Sequence, residues 1–127
     1  MPTIIHTEQA PVAIGAYNQA IQAGQMVFIS GQIGLDPKTG TMRSTIFEEQ
    51  AHQAFQNLRA VCQAASGDLH KLVKMTVFLS DMQYYQRFNE IMLDYFGDHP
   101  YPSRSVLACL GLPRNALVEL EGIMFLD

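Results

Sequence analysis

Two apolar runs near the end of the chain restrict its fold more than any other feature. Arg104 opens the first run, residues 105–112, and the second run covers residues 117–126 after a Leu-Pro-Arg-Asn turn. Both runs are short, rich in Val, Leu, Ile and Phe, and bounded by Pro and Gly, which is typical of buried strands. The sequence therefore predicts that the chain ends in two strands of a sheet.

The charged side chains in these two strands need an explanation, because ionised groups are seldom fully buried unless they are paired or used. A strand's period of two puts Glu119 and Glu121 on one face and Leu120 and Gly122 on the other. One explanation is structural: Arg104 and a glutamate form an ion pair, or both carboxylates lie on a solvated edge. The other is a site in which Arg104 binds a substrate carboxylate and a nearby glutamate handles protons. The spacing leaves both open.

The rest of the chain predicts four more strands and two helices. Runs of apolar residues between turn residues predict strands at 3–6, 19–23, 25–30 and 72–79. Apolar residues recurring at three and four predict helices at 46–66 and 82–96, with Gly67 and Gly97 at their ends and Asp81 at the second helix's start. Helices that follow strands predict an α+β fold with both helices on one sheet face. We expect a second copy of the chain to cover the other face.

Composition excludes several classes of protein. The length of 127 residues predicts a single domain, residues 1–127, and a net charge of −4 without a basic stripe argues against nucleic-acid binding. Cys62 and Cys109 form no C-x-x-C motif and predict buried, reduced thiols. No leader pattern or apolar run of about 18 residues occurs, so we expect a cytoplasmic protein with no membrane partner.

The motifs of metal and cofactor sites are missing from the sequence. Its four histidines have no metal-ligand spacing, and its glycines are too sparse for a phosphate loop. The sequence therefore predicts no metal and no cofactor. An enzyme of this composition would work with Arg, Glu, Tyr, Asn, backbone groups and water.

Ordered motifs along the whole chain resemble the RidA/YjgF family of reactive-intermediate (enamine/imine) deaminases, also called L-PSP proteins. The C-terminal signature is matched by Pro-Ser-Arg-Ser-Val at residues 102–106 and Val-Glu-Leu-Glu at residues 118–121. Further matches lie at residues 13–20 (Ala-Ile-Gly-Ala-Tyr-Asn-Gln-Ala), 28–33 (Phe-Ile-Ser-Gly-Gln-Ile), 36–40 (Asp-Pro-Lys-Thr-Gly) and 76–79 (Thr-Val-Phe-Leu).

The resemblance implies a chorismate-mutase-like α+β fold and a homotrimer with a central barrel-like core and sites in the clefts between subunits. It also implies a hydrolase of the 2-iminobutanoate/2-iminopropanoate deaminase type. Such an enzyme converts 2-imino and 2-enamino acids, such as 2-aminoacrylate, to 2-keto acids and ammonia.

The family's site residues match particular positions in this chain. Arg104 matches the arginine that binds the substrate carboxylate, and Glu119 matches the glutamate that positions or activates water. The matches that imply substrate binding are Tyr17, Ser30, Gly31, Asn89 and Val106. The chain departs from the family in carrying Val106 where its deaminases commonly have Cys, and Ala16 where Pro is usual.

Two other functions stay open from the sequence. Val106 favours a non-catalytic metabolite-binding or chaperone-like protein that keeps the cleft and binds 2-keto acids. An endoribonuclease or translation inhibitor is the other alternative, since that activity is also attributed to the family. The acidic net charge argues against it.

Overall fold

The computed structural model describes residues 2–127, which form one six-stranded sheet and two long helices. The strands are β1 (Thr3–Ile5), β2 (Ala20–Ala23), β3 (Met26–Gln32), β4 (Leu72–Leu79), β5 (Ser103–Ala108) and β6 (Val118–Phe125), and the helices are α1 (Phe47–Ala64) and α2 (Tyr85–Phe96). The sheet has the order β1-β2-β3-β6-β4-β5, and its neighbouring strands are antiparallel except for the parallel pair β4–β5.

Both helices pack on one face of the sheet, as the α+β prediction required. Phe55 and Leu58 of α1 and Phe88 of α2 are fully buried in one cluster with Val77 of β4 and Leu120 of β6. The apolar stripe predicted for the first helix lies in this core from Phe47 to Ala65. The helix face is therefore the inner face of the sheet.

The opposite face of the sheet is open and largely apolar. Residues directly opposite one another on paired strands share a face, so alternation with buried neighbours identifies the residues that point outward. Four of them have large exposed side chains: Ile4 (63%), Phe28 (46%), Leu107 (46%) and Phe125 (40%). Glu119 and Glu121 also belong to this face, which confirms the alternation predicted for β6.

The ends of the helices differ in detail from the prediction. A 3-10 turn, Met82–Tyr84, precedes α2, and the Asp81 carboxylate caps this turn by accepting the Gln83 N–H at 2.8 Å. At the end of α1 the left-handed residue is Ser66, with φ of 70°, rather than the predicted Gly67. Gly67 instead donates its N–H to the Cys62 carbonyl at 2.9 Å, which satisfies one of the last carbonyls of the helix.

The last two strands also end at other residues than predicted. β5 begins at Ser103 and stops at Ala108, so the apolar residues 109–112 lie in the loop before β6. Pairing with the parallel strand β4 explains this, because β4 ends at Leu79 opposite Ala108. In the part of the chain that the structure describes, no helix has the length and apolar character needed to cross a membrane.

Candidate functional site

Arg104 projects from the edge strand β5 toward α2, where neutral groups hold its guanidinium. Its Nη1 donates to Asn89 Oδ1 at 2.6 Å and lies 3.3 Å from Met92 Sδ, while Nη2 donates to Tyr85 Oη at 3.4 Å. The guanidinium carbon also lies 5.7 Å from the centre of the Tyr85 ring. Across residues 2–127 no carboxylate pairs with Arg104. The positive charge of the guanidinium is therefore held in a fixed position without a carboxylate to neutralise it.

An open cleft of about 500 Å³ lies beside this guanidinium. Its walls are mostly apolar, and Arg104 is the charged residue among those that line it: Asn89, Met92, Leu93, Tyr101, Pro102 and Arg104. A planar guanidinium with unused N–H groups suits bidentate binding of a carboxylate. We call this space the arginine cleft.

A second cleft, of about 310 Å³, contains Glu119, Glu121, Tyr17, Ser30 and Gly31. Glu119 is half-buried, and burial raises the pKa of its carboxyl above the ordinary value, with the charge of Glu121 raising it further. A raised carboxyl pKa is typical of groups that exchange protons near neutral pH. We call this space the glutamate cleft.

Gly31 makes room for the Glu119 carboxylate. A β-carbon added at Gly31 would lie 2.5 Å from Glu119 Oε2 and 2.7 Å from Cδ, closer than side chains can approach. The pairing of β3 with β6 shifts register between Ile29 and Gln32, so Ser30 and Gly31 form an irregular step beside Glu119. The Gly in the predicted Ser-Gly-Gln strand end thus permits a close approach between strands.

Tyr17 forms part of the opposite wall of the glutamate cleft. Its hydroxyl oxygen accepts the Ile14 N–H at 3.2 Å, which leaves its own proton to be donated, and its ring packs over Gly15. The Ser30 hydroxyl donates to the Asn18 carbonyl at 2.6 Å and so holds the loop that carries Tyr17.

The two clefts lie on opposite faces of the sheet. Arg104 pairs in register with Met75, which is fully buried under the helices, whereas Glu119 pairs with Phe78 on the open face. An ion pair between Arg104 and Glu119 or Glu121 within one chain is accordingly not formed. Within one chain the structural ion-pair interpretation is therefore wrong, and the predicted site residues fall into two separate groups.

Val106 and both thiols lie outside the linings of the two clefts. Val106 is half-buried against the core on the same face of β5 as Arg104. The prediction that both cysteines are buried is wrong for Cys109, which is only partly buried because it follows the end of the edge strand β5. Cys62 is buried, and its burial is the main cause that raises the pKa of its thiol to about 12. Within residues 2–127 no three His, Cys, Asp or Glu side chains come together as a metal centre would require.

Two residues that hold the walls of these clefts were not predicted from the sequence. Tyr85, at the start of α2, is 41% exposed and contacts Arg104. Its position four residues before Asn89 was the available signal, because residues at this spacing share a helix face. Gln19 is buried beneath the Tyr17 loop, and its place in the matched segment 13–20 was the signal that could have singled it out.

Comparison with known proteins finds relatives over nearly the whole chain. The family model described as Endoribonuclease L-PSP matches residues 7–125. A mouse protein named 2-iminobutanoate/2-iminopropanoate deaminase is 42% identical over 120 residues, which are 94% of this chain and 88% of the mouse protein.

Two solved structures are also closely similar. RidA from an Antarctic Psychrobacter superposes with a TM-score of 0.94 at 40% identity, covering 98% of this chain and 99% of that one. TdcF from E. coli, solved with bound serine, superposes with a TM-score of 0.93 at 36% identity, again covering 98% and 99%. The chain belongs to the RidA/YjgF (L-PSP) family.

Proposed function

We propose that this protein is a hydrolytic deaminase of 2-imino and 2-enamino acids, acting as a homotrimer whose sites lie between subunits. The observation that carries the proposal is the uncompensated, positioned guanidinium of Arg104 in the wall of an apolar cleft. The name of the mouse relative and the serine bound to E. coli TdcF support a small amino-acid-like ligand.

Arg104 binds the substrate carboxylate in this proposal. Asn89 and Tyr85 fix the guanidinium without neutralising it, so the charge remains available to an anion. A carboxylate held at two points orients the adjacent C=N carbon, and orientation can supply a large part of catalysis. The apolar walls of the arginine cleft lower the local polarity around the bound carboxylate and so strengthen the ion pair.

Glu119 handles the protons of the hydrolysis. Its carboxylate takes a proton from water as the water oxygen bonds to the imine carbon and the C=N electron pair moves onto nitrogen. The carboxylic acid returns that proton to nitrogen, which gives the tetrahedral carbinolamine. The carboxylate then takes the remaining proton from the hydroxyl oxygen and passes it to nitrogen as the C=O bond forms and the C–N bond breaks, which leaves the 2-keto acid and ammonia. A carboxyl pKa raised by burial serves both steps, since the group must accept and release a proton near neutral pH.

Two copies of the chain are needed to bring these groups together. Arg104 and Glu119 open on opposite sides of one sheet, so a neighbouring subunit must supply one of them to each site. The open apolar face, with Phe28, Leu107 and Phe125, provides the surface for that association. A closed ring of three copies would bury this face and form three equivalent clefts.

The proposed reaction uses no thiol. Val106 replaces the cysteine that is common in the family's deaminases, and Cys62 is held protonated by burial. Water activated by Glu119 and a carboxylate bound to Arg104 provide the required chemistry without a covalent intermediate.

The experiment is a measurement of 2-keto acid and ammonia release from imines generated in situ by an amino-acid oxidase. We expect the wild-type protein and Arg87→Ala to accelerate release above the spontaneous rate, and Arg104→Ala to do so hardly at all. Arg87 is a matched control because it lies on the surface of α2 and pairs with the exposed carboxylates of Glu48 and Glu90. No acceleration by wild type with small, branched or aromatic imines, together with binding of 2-keto acids, would favour the non-catalytic function.

A further inference from the structure

One buried polar residue has no part in the proposed reaction. Gln19 is 2% exposed and lies just before β2, beneath the loop formed by residues 6–19. Its Oε1 accepts the Thr7 N–H at 2.7 Å, and its Nε2 donates to the carbonyls of Thr7 at 3.0 Å and Pro11 at 2.8 Å. The carbonyl of Ala10 lies 3.4 Å from the same nitrogen. Each of these hydrogen bonds of the Gln19 amide is therefore made to the loop backbone.

The main chain of Gln19 connects the loop to the glutamate cleft. The Gln19 carbonyl accepts the Ser30 N–H at 2.9 Å, next to Gly31 and its contact with Glu119. The Ser30 hydroxyl donates to the neighbouring carbonyl of Asn18. One residue thus links the start of the loop, its end, and the strand beneath Glu119.

Tyr17 depends on this link for its position. Its hydroxyl contacts Ile14, its N–H donates to the Gly15 carbonyl at 3.0 Å, and its ring covers Gly15. These partners all belong to the same loop, so they fix Tyr17 within the loop and not against the sheet. The glutamate cleft also includes Pro11 and Ile14, so one wall of it moves with the loop.

We propose that Gln19 is a positioning residue: it fixes the loop, and through the loop Tyr17, against Glu119. The inference rests on the proposed function for its kinetic consequence and on geometry alone for the anchoring. Besides the Gln19 amide, this irregular loop is restrained by the Ser30 hydroxyl bond to the Asn18 carbonyl and by the buried methyl group of Ala10. Loss of the amide leaves the Thr7 N–H and the Pro11 carbonyl without partners and releases the wall that carries Tyr17.

A double-mutant cycle separates positioning from a merely structural role. Gln19→Leu keeps the size of the side chain but removes its four hydrogen-bonding contacts. We expect kcat/KM to fall about 10- to 100-fold, because displacing a group of the site, here Tyr17, typically lowers the rate by that much. In a Tyr17→Ala background the same change should cost less than about twofold, because the group it positions is gone. Full additivity of the two changes would overturn the proposal.

The control for lost stability is Tyr95→Phe. It removes the 2.7 Å hydrogen bond to His52 between the helices, on the other side of the sheet from Tyr17. Its effect on kcat/KM should be small and should be the same with and without Tyr17→Ala. A coupling to Tyr17 as large as that of Gln19 would show that the cycle reports general destabilisation, and would overturn the inference.

Amide hydrogen exchange tests the anchoring without any turnover. Gln19→Leu should speed exchange at least tenfold in residues 8–17, including the Ile14 amide that donates to Tyr17, and leave α1 unchanged. Unchanged exchange in the loop overturns the anchoring role. Absence of turnover in the wild-type protein would instead refute the proposed function, and the exchange result would still support or overturn the role of Gln19 in holding the loop.

Discussion

Replacing Gly31 by Ala tests whether the Glu119 carboxylate works from the position it holds. The added methyl carbon would lie 2.5 Å from Glu119 Oε2, 2.7 Å from Cδ and 3.0 Å from Cγ. Ordinary contact begins at 3.4 Å, so the carboxylate oxygen must withdraw by the difference, 3.4 minus 2.5, or 0.9 Å. The three nearest atoms all belong to one side chain, and the backbone at Gly31 does not adopt a positive φ.

These distances predict a large loss of activity with little loss of stability. A displacement of about 1 Å at a reacting group can cost about 10²-fold in rate, and kcat for imine hydrolysis should fall by that order. The free energy of unfolding should fall by less than about 1 kcal/mol, because a flexible side chain can move aside without strain in the backbone. The measurement pairs keto-acid release with urea unfolding on the same preparation.

Gly24→Ala is the matched control. Gly24 lies in the turn between β2 and β3 with φ of 62°, and an added β-carbon would meet nothing within 4 Å. This change should cost about 1 kcal/mol of stability through its left-handed backbone and leave kcat unchanged. A Gly31→Ala enzyme with normal kcat would refute the role given to Glu119, and one that is strongly destabilised would refute the packing argument.

Three further predictions follow from the geometry of the clefts. Arg104→Lys should lower kcat/KM by about 10²-fold or more, since an ammonium cannot bind the carboxylate bidentately, and its melting temperature should stay near that of wild type. Near-normal turnover in this variant would remove Arg104 from the mechanism. Glu119→Gln should abolish turnover and also stabilise the fold by less than about 1 kcal/mol at neutral pH, because a half-exposed group is partly screened. Because the pKa of Glu119 is raised in the folded state, ionising its carboxyl lowers the free energy of unfolding as the pH rises above the ordinary pKa of 4.5 and through the folded pKa. The stability that Glu119→Gln gains should therefore vanish below pH 4.5. A gain in stability that persists below that pH would contradict this origin. In native protein at pH 7 a maleimide should label the half-buried Cys109 and spare Cys62, because burial raises the pKa of the Cys62 thiol to about 12. Rapid labelling of Cys62 would contradict its burial.

The sequence predicted helices and strands well wherever their apolar residues recur with one regular period. The apolar stripe of α1 and the alternation of β6 both appear in the structure, because each element buries one face against the same core. Gly97 ends α2 with φ of 53°, as expected of a glycine after a helix. These are local features, determined by neighbours along the chain.

Features that depend on distant strand pairing were not predictable. Nothing local indicates that β6 lies between β3 and β4, and this placement puts Glu119 and Arg104 on opposite faces of the sheet. Gln19 illustrates the same limit, since its partners lie 8 to 12 residues earlier in an irregular loop. The family resemblance supplied the site residues, and only the three-dimensional structure separated them into two clefts.

Mixing two inactive variants tests the central claim, that each site takes Arg104 from one subunit and Glu119 from another. Arg104→Ala and Glu119→Gln chains are unfolded together in equal amounts, refolded, and assayed for keto-acid release beside each variant refolded alone. Random assembly of a closed ring would give about one quarter of the sites an intact pair, so activity should return to about 25% of the refolded wild type. If both groups act within one chain, every chain in the mixture carries a defect, and activity that stays at the level of the separate variants would contradict the claim.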